Sequence, residues 1–466
     1  MAPDQSPPFP KALAVLVAGA YFMEVLDGTI ITPAIPLVAS SLGVKPIDVN
    51  AAISAYLVTV AVLIPVSGWL ADRYGIRRVF ISAIVVFTLA SVGCALSGSL
   101  PMLVAMRIVQ GVGGAMMVPV GRLAVLRDSD KSHLMRAIAV LTWPAMAAPV
   151  LAPVLGGAIV TVGSWRWIFV VNIPVGILGV LLSLRLVRGG PTASGRPLDW
   201  PGMLALSGGI GAALVALEHV RVAGTDWSLV GGCGAAASVL LVAAVWHLLR
   251  TDSPLVDLPV LRVPTLRITV SAGSLYRLVI VAVPFLLTLQ FQLEFGWNPL
   301  AAGVMVAALF IGNLTIKPAT TPLMRRFGIR TVLLVNGVAS VVSFGLLATL
   351  RPSFPLPVIA VILYVSGVLR SVGFTAYNNL AFADVDGDDL THANTLNASV
   401  QELAAGLGVA VGALLLSRIG SYPATFLVLG VVMALTIVES WQLPRSAGAH
   451  VSGAGKSLAT PERCTS

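Results

Sequence analysis

Fourteen runs in this 466-residue sequence stay apolar for about the twenty residues an α-helix needs to cross a bilayer. They lie near residues 12–39, 49–71, 79–97, 101–125, 137–161, 166–186, 201–220, 228–249, 268–293, 300–322, 331–350, 356–381, 393–417 and 421–442. None shows the apolar–polar alternation of a barrel strand. In lipid their backbones must therefore be satisfied within helices. The expected fold is an all-α polytopic membrane protein with fourteen transmembrane helices. Composition agrees: only 11% of residues are charged, against about 25% in soluble chains.

The polar stretches between the runs carry the second constraint. Gly68-Trp69-Leu70-Ala71-Asp72-Arg73-Tyr74-Gly75-Ile76-Arg77-Arg78 joins the second and third runs, and a related stretch, Thr321-Pro322-Leu323-Met324-Arg325-Arg326-Phe327-Gly328-Ile329-Arg330-Thr331, returns 253 residues later. A chain with one such turn in each half is a duplication. Two sets of six runs account for twelve, and the remaining two, 201–220 and 228–249, fall between the sets. The expected domains are 1–186, a first six-helix half; 187–266, a linker with two extra helices; 267–445, a second half; and 446–466, a polar disordered tail.

Charge placement sets orientation and excludes other functions. Of 29 lysines and arginines, five (Lys45, Arg166, Arg221, Arg351, Arg418) fall in one set of loops and four lie inside the runs. The other twenty share the face that also carries both termini. Positive charge is retained inside, so both termini are expected in the cytoplasm and the chain in the cell membrane. The first run reads as an uncleaved helix although Lys11 and Ala18-Gly19-Ala20 superficially fit a signal peptide. Net charge of +9 does not point to nucleic acid, because no basic face is available. Cys94, Cys233 and Cys464 are scattered, as are the five histidines, so no disulfide framework, metal site or cofactor is expected. A membrane-embedded enzyme would need a nucleophile–base or metal motif such as HExxH, and a sensor an appended soluble domain. Neither is present, nor is a Walker motif for ATP.

Four motifs, in order, carry a family resemblance. Gly68 to Arg78 resembles the signature loop of the major facilitator superfamily. Leu26-Asp27-Gly28-Thr29-Ile30 with Ala34-Ile35-Pro36 resembles the first-helix motif of its drug:proton antiporters. Arg107-Ile108-Val109-Gln110-Gly111-Val112-Gly113-Gly114 resembles their fourth-helix motif. Ala152-Pro153-Val154-Leu155-Gly156-Gly157 resembles the fifth-helix antiporter motif, with Ala152 where that family usually has Gly; its expected site residues are Pro149, Pro153, Gly156 and Gly157. The resemblance covers about residues 11–445 and implies the fourteen-helix branch. It implies proton-coupled export of small apolar or cationic compounds, with a specific metabolite exporter or symporter as the alternative. The partners implied are the bilayer, a small-molecule substrate and protons, in a chain that functions as a monomer.

Charges within membrane helices are functional candidates by default. Glu24 and Asp27 are three apart, hence on one helix face, as are Arg107 and Gln110. With Glu402 and Arg107, the two carboxylates are the proton-coupling candidates; Asp27, mid-run and matching the family motif, is expected to be the principal one. Lys317 is near the end of its run, where it can snorkel outward. Substrate-contact candidates are Trp143, Tyr276, Gln290, Arg370, Tyr377, Asn378 and Gln401. The gating hinges are expected at Gly68, Asp72, Arg73, Gly75, Arg77 and Arg78 and at Arg326, Gly328 and Arg330. Cross-half latches are expected from Arg77 or Arg78 to the acids at 384–389, and from the second hinge to Asp128 or Asp130.

Overall fold

The computed structural model describes residues 11–127, 134–188, 198–220, 227–251, 254, 257–385 and 390–444, and every regular element among them is helical. We number the long helices α1 (Lys11–Leu42), α2 (Pro46–Tyr74), α3 (Ile76–Ala95), α4 (Leu100–Arg127), α5 (Leu134–Val162), α6 (Trp167–Leu186), α7 (Trp200–Val220) and α8 (Trp227–Leu248). They continue with α9 (Pro264–Glu294), α10 (Pro299–Thr315 then Lys317–Phe327), α11 (Ile329–Ala348), α12 (Leu356–Ala381), α13 (Leu390–Ile419) and α14 (Tyr422–Trp441). Twelve of these pass as membrane spans by length and apolarity. The bent α10 makes thirteen, and α5 adds the apolar stretch Ala147–Val162. The set is consistent with the fourteen apolar runs.

Prolines explain the irregular helices. In α1 a turn of 3-10 helix at Thr32–Ala34 interrupts the α-helix where Pro33 and Pro36 cannot donate backbone hydrogen bonds. In α10 the axis bends by 48° around Ile316, and the helix restarts with Pro318 in its first turn.

The chain forms two compact units. The first comprises Met1–Val256, Val281–Ala307 and Glu402–Gly420, that is α1 to α8 with the later part of α9, the start of α10 and the later part of α13. The second comprises Asp257–Ile280, Ala308–Gln401 and Ser421–Ser466.

Within the first unit, small residues let backbones touch, as lipid-embedded helices require in the absence of a hydrophobic drive between them. A Cβ on Gly113 of α4 would lie 2.8 Å from the backbone of Ala83 and Phe87 on α3. The extra helices α7 and α8 pack on each other and against Val58 and Val62 of α2 through Ile210. Only Ala237, Ala244 and Leu248 of α8 are buried. In the second unit α10 meets α12 at Gly312 and Gly367, where a Cβ would fall 2.1 Å from the Tyr364 carbonyl oxygen and 1.8 Å from that of Leu309.

Candidate functional site

The most densely bonded polar group in the first unit is built on Asp27. The residue stands in the middle of α1, wholly buried, with Arg107 and Gln110 of α4, each 0% exposed, and Asn172 of α6, 2% exposed, around it. Arg107 forms a salt bridge with Asp27 Oδ2 through Nη1. Gln110 donates to Oδ1 at 2.9 Å and Asn172 donates to the same oxygen at 2.6 Å. Arg107 also donates to Gln110 Oε1 at 2.8 Å, which fixes the orientation of that amide. Ser91 of α3 accepts from Gln110 at 2.9 Å and from Asn172 at 3.3 Å. The guanidinium lies 4.2 Å over the Tyr56 ring, and its Nε donates to the Ala52 carbonyl at 3.4 Å. Donors from α4 and α6 thus meet on the α1 carboxylate and use both of its oxygens, while α2 and α3 hold those donors in place. A buried charge so paired is tolerable; removing one partner would leave the other uncompensated.

Glu24, one turn earlier on α1, is half-buried and accepts a hydrogen bond from Tyr56 Oη at 3.2 Å. Because Tyr56 also underlies Arg107, Glu24 is linked to the Asp27 pair through one ring. Glu402 of α13 acts electrostatically on Glu24. The fold therefore brings Asp27, Arg107 and Glu24 together, with Glu402 near enough for its charge to act on Glu24. Sequence reasoning missed Asn172, Ser91 and Tyr56.

The substrate candidates separate. Tyr276 and Tyr377 are buried with ring centroids 5.4 Å apart, and their hydroxyls are occupied within the second unit. Tyr276 donates to the Leu369 carbonyl at 2.9 Å, and Tyr377 pairs with Ser440 at 2.9 Å. Both hydroxyls tie helices of this unit together. Asn378 donates to the Phe374 carbonyl at 2.9 Å and accepts from Asn397 at 3.4 Å. Gln290, wholly buried, has neither amide atom bonded among the described residues, and Gln401 and Arg370 each retain unbonded polar atoms. The side chain of Trp143 lies outside the described residues. Lys317 does not snorkel outward as its place in the sequence suggested: its ammonium donates to Thr375 Oγ1 on α12 at 3.0 Å, held there by the bend in α10. An apolar groove of about 540 Å³ between α1 and α6, with Lys11 at one end, contains none of the candidates.

The two hinges are structural copies. Gly75 and Gly328 adopt φ of 87° and 77°, a region L-residues avoid, and each breaks one helix and starts the next. Arg77 donates to the Leu184 carbonyl at 2.7 Å, and Arg330 donates to that of Trp441 at 3.0 Å. Each arginine thus caps the last helix of its own repeat. A helix C-terminus offers unpaired carbonyls that such arginines can satisfy. Asp128, Asp130, Asp386, Asp388 and Asp389 lie outside the described residues. Asp72, Arg73, Arg78 and Arg326 are exposed. A Cβ on Gly68 would meet nothing, so that glycine marks no close approach here.

The fifth-helix motif is a packing site. A Cβ on Gly156 would lie 2.4 Å from the Ile30 carbonyl of α1, and one on Gly157 would lie 2.6 Å from that of Pro299 on α10. Gly303 of α10 faces the Pro153 carbonyl in the same way, at 2.1 Å. Pro149 is half-buried and Pro153 buried in the same helix.

A family model described as Major Facilitator Superfamily matches residues 17–386 and, in a second match, 268–461. The chain belongs to the Major Facilitator Superfamily. MdtD of Salmonella paratyphi A, whose name assigns it to multidrug resistance, is 36% identical over 411 residues, covering 87% of this chain and 86% of that protein. MdtD of Salmonella typhimurium is as similar, with the same identity and coverage over 411 residues. Among solved structures, a D-xylose–proton symporter shares the fold with a TM-score of 0.65 at 13% identity, covering 95% of this chain and 99% of that one. The human organic anion transporter MFSD10 gives 0.60 at 16% identity, covering 93% and 100%. Superfamily members are multi-pass membrane transporters of small molecules, and the motifs that carried the resemblance are this chain's own Asp27, Arg107 and hinge residues.

Proposed function

We propose that the protein is a proton-coupled secondary transporter that exports small, largely apolar compounds from the cell by alternating access, in the manner of multidrug efflux. The observation that carries this reading is the buried Asp27–Arg107 pair, bonded also to Gln110 and Asn172, in a member of a transporter superfamily. A proton on Asp27 removes the charge that holds Arg107 between α1 and α4. Arg107 is then buried without a counter-charge, which costs several kcal/mol, so the helices must reseat around it. Protonation is thereby tied to a change of helix packing. The membrane potential adds about 2.3 kcal/mol per elementary charge per 100 mV, enough to move cargo uphill. Glu24, joined to Arg107 through Tyr56, gives the proton a second station, and Glu402 a third.

The excess of basic residues on one face supports cytoplasmic termini in a cell-membrane protein. The reading is of a transporter and not an enzyme, and a monomer suffices for it because one chain supplies every group named. The test is transport into inverted membrane vesicles of a compound panel, with and without an imposed pH gradient, by wild type and Asp27→Asn. Gradient-driven accumulation in the wild type and none in the variant is expected. Undiminished uphill transport by Asp27→Asn removes that residue from the role.

A further inference from the structure

The second unit carries a group of cations that the coupling reading leaves unused. Arg370 on α12 is 8% exposed, and its Nε and Nη1 have no hydrogen-bond partner among the described residues. Its guanidinium is 5.9 Å from the centre of the Phe310 ring. Lys317 stands where α10 restarts, 5.8 Å from the Phe374 ring and bonded to Thr375. The Arg277 guanidinium on α9 lies 4.7 Å from the centre of the same Phe374 ring, and its charge acts on both Lys317 and Arg370. No described carboxylate forms an ion pair with Lys317 or Arg370.

Depth removes the bland explanation. Arg370 lies eleven residues before the end of α12 at Ala381 and further from its start at Leu356. At about 1.5 Å per residue the nearer end is some 16 Å away, beyond the reach of a snorkelling side chain. An arginine at that depth with donors unmet, under the charge of a second arginine, is costly and marks a function. What would satisfy them is an anion. A guanidinium fork takes a carboxylate or sulfonate through two parallel hydrogen bonds, and an ammonium adds a point charge. Phe310 and Phe374 offer apolar surface to the remainder of the same molecule.

We propose that Arg370 and Lys317, with the field of Arg277, form a binding site for the anionic group of an amphiphilic organic acid, and that this acid is a class of cargo. The assignment as cargo rests on the transport reading; the site itself does not. A cation would be repelled at this place.

The test uses the full chain in phosphatidylcholine nanodiscs and two probes of one shape, 2-naphthoate and the uncharged 2-naphthamide. Wild type is expected to bind naphthoate about tenfold more tightly than the amide, a factor one good charge-assisted contact supplies. Arg370→Gln and Lys317→Gln should each bring that ratio close to one. Arg370→Lys should retain part of the preference, since it keeps the charge and loses the fork. Thermal unfolding of each variant serves as the folding control, and no loss of stability is expected. Equal affinities in wild type, a preference that survives in the Arg370→Gln/Lys317→Gln double variant, or no saturable naphthoate binding would each overturn the proposal. Anion preference without gradient-driven movement in vesicles sinks the transport reading and leaves the site standing. Gradient-driven export of neutral compounds with no anion preference does the reverse.

Discussion

The two repeats bury charge in opposite ways. In the first, Asp27 is bonded by Arg107, Gln110 and Asn172, with Ser91 holding both amides in place. In the second, Lys317 reaches one hydroxyl and Arg370 keeps unbonded donors, with aromatic faces beside both. Both groups stand on corresponding helices of a duplicated scaffold, the fourth helix of each repeat supplying an arginine. Duplication preserved five of the eleven hinge residues in register, among them the glycine with positive φ and the capping arginine, and let the interiors diverge. Arg107 also keeps one unbonded nitrogen, Nη2, so the difference lies in the counter-charge: Arg107 has a carboxylate partner and Arg370 has none among the described residues. A paired cation suits a charge that must stay put until a proton releases it, whereas an unpaired one suits a charge brought in from outside.

Three substitutions strain that contrast most. Asp27→Asn is expected to abolish gradient-driven export, the largest effect of all, while folded protein remains in the membrane; fluorescence quenching in inverted vesicles reads it. Arg107→Gln and Arg370→Gln should then part company in stability. The first breaks a fully buried pair and should cost about 3–5 kcal/mol, seen as a clear drop in thermal unfolding temperature. The second removes a buried cation that has no carboxylate partner, and should leave the unfolding temperature unchanged or raised. Equal losses in both variants would mean that the two sites are alike after all.

How much of this was legible beforehand follows from residue type. Asp27, Arg107 and Gln110 stood out because charge and amide groups are rare in apolar runs and a spacing of three places them on one helix face. Asn172, Ser91 and Tyr56 did not, since serine, asparagine and tyrosine are common in membrane helices and one sequence does not say which face turns inward. The hydroxyl partners of Tyr276 and Tyr377, Leu369 and Ser440, were not legible either, because they lie 93 and 63 residues away in the chain. Lys317 was misjudged because the bend at Ile316 is tertiary: it turns a residue near the end of an apolar run back toward α12. The hinges were fully legible in position, since only glycine suits their positive φ. Their arginines' partners were not, because helix C-termini carry no sequence mark of being capped from afar.

A smaller effect concerns where the first unit includes parts of both repeats. Gly157→Val places a branched side chain where the Pro299 carbonyl oxygen is already 2.6 Å from a Cβ. The contact between α5 and α10 must then open, at a cost of about 1–3 kcal/mol for an overpacked site. Gly68→Val meets open space and should cost little by comparison. Cysteine labelling at the α5–α10 contact should rise in the first variant and remain at the wild-type level in the second. Unchanged labelling in Gly157→Val would show that the contact is not required to close that end.

The smallest effect is expected from the largest change, replacement of α7 and α8 by a short polar linker joining residues 187 and 266. The pair holds together through its own contacts and an Asp199–His247 bond of 2.7 Å, and it touches the first repeat chiefly through Ile210 against Val58 and Val62. Uncovering those two valines in lipid costs little, because acyl chains are as apolar as the side chains they replace. Removing two passes also leaves the second repeat in its original orientation. None of the groups around Asp27 or Arg370 comes from α7 or α8. Gradient-driven transport by the shortened protein should therefore fall by no more than about twofold, a change under 1 kcal/mol in any rate-limiting step. Complete loss of transport in a variant that still unfolds cooperatively would place the extra pair in the working mechanism.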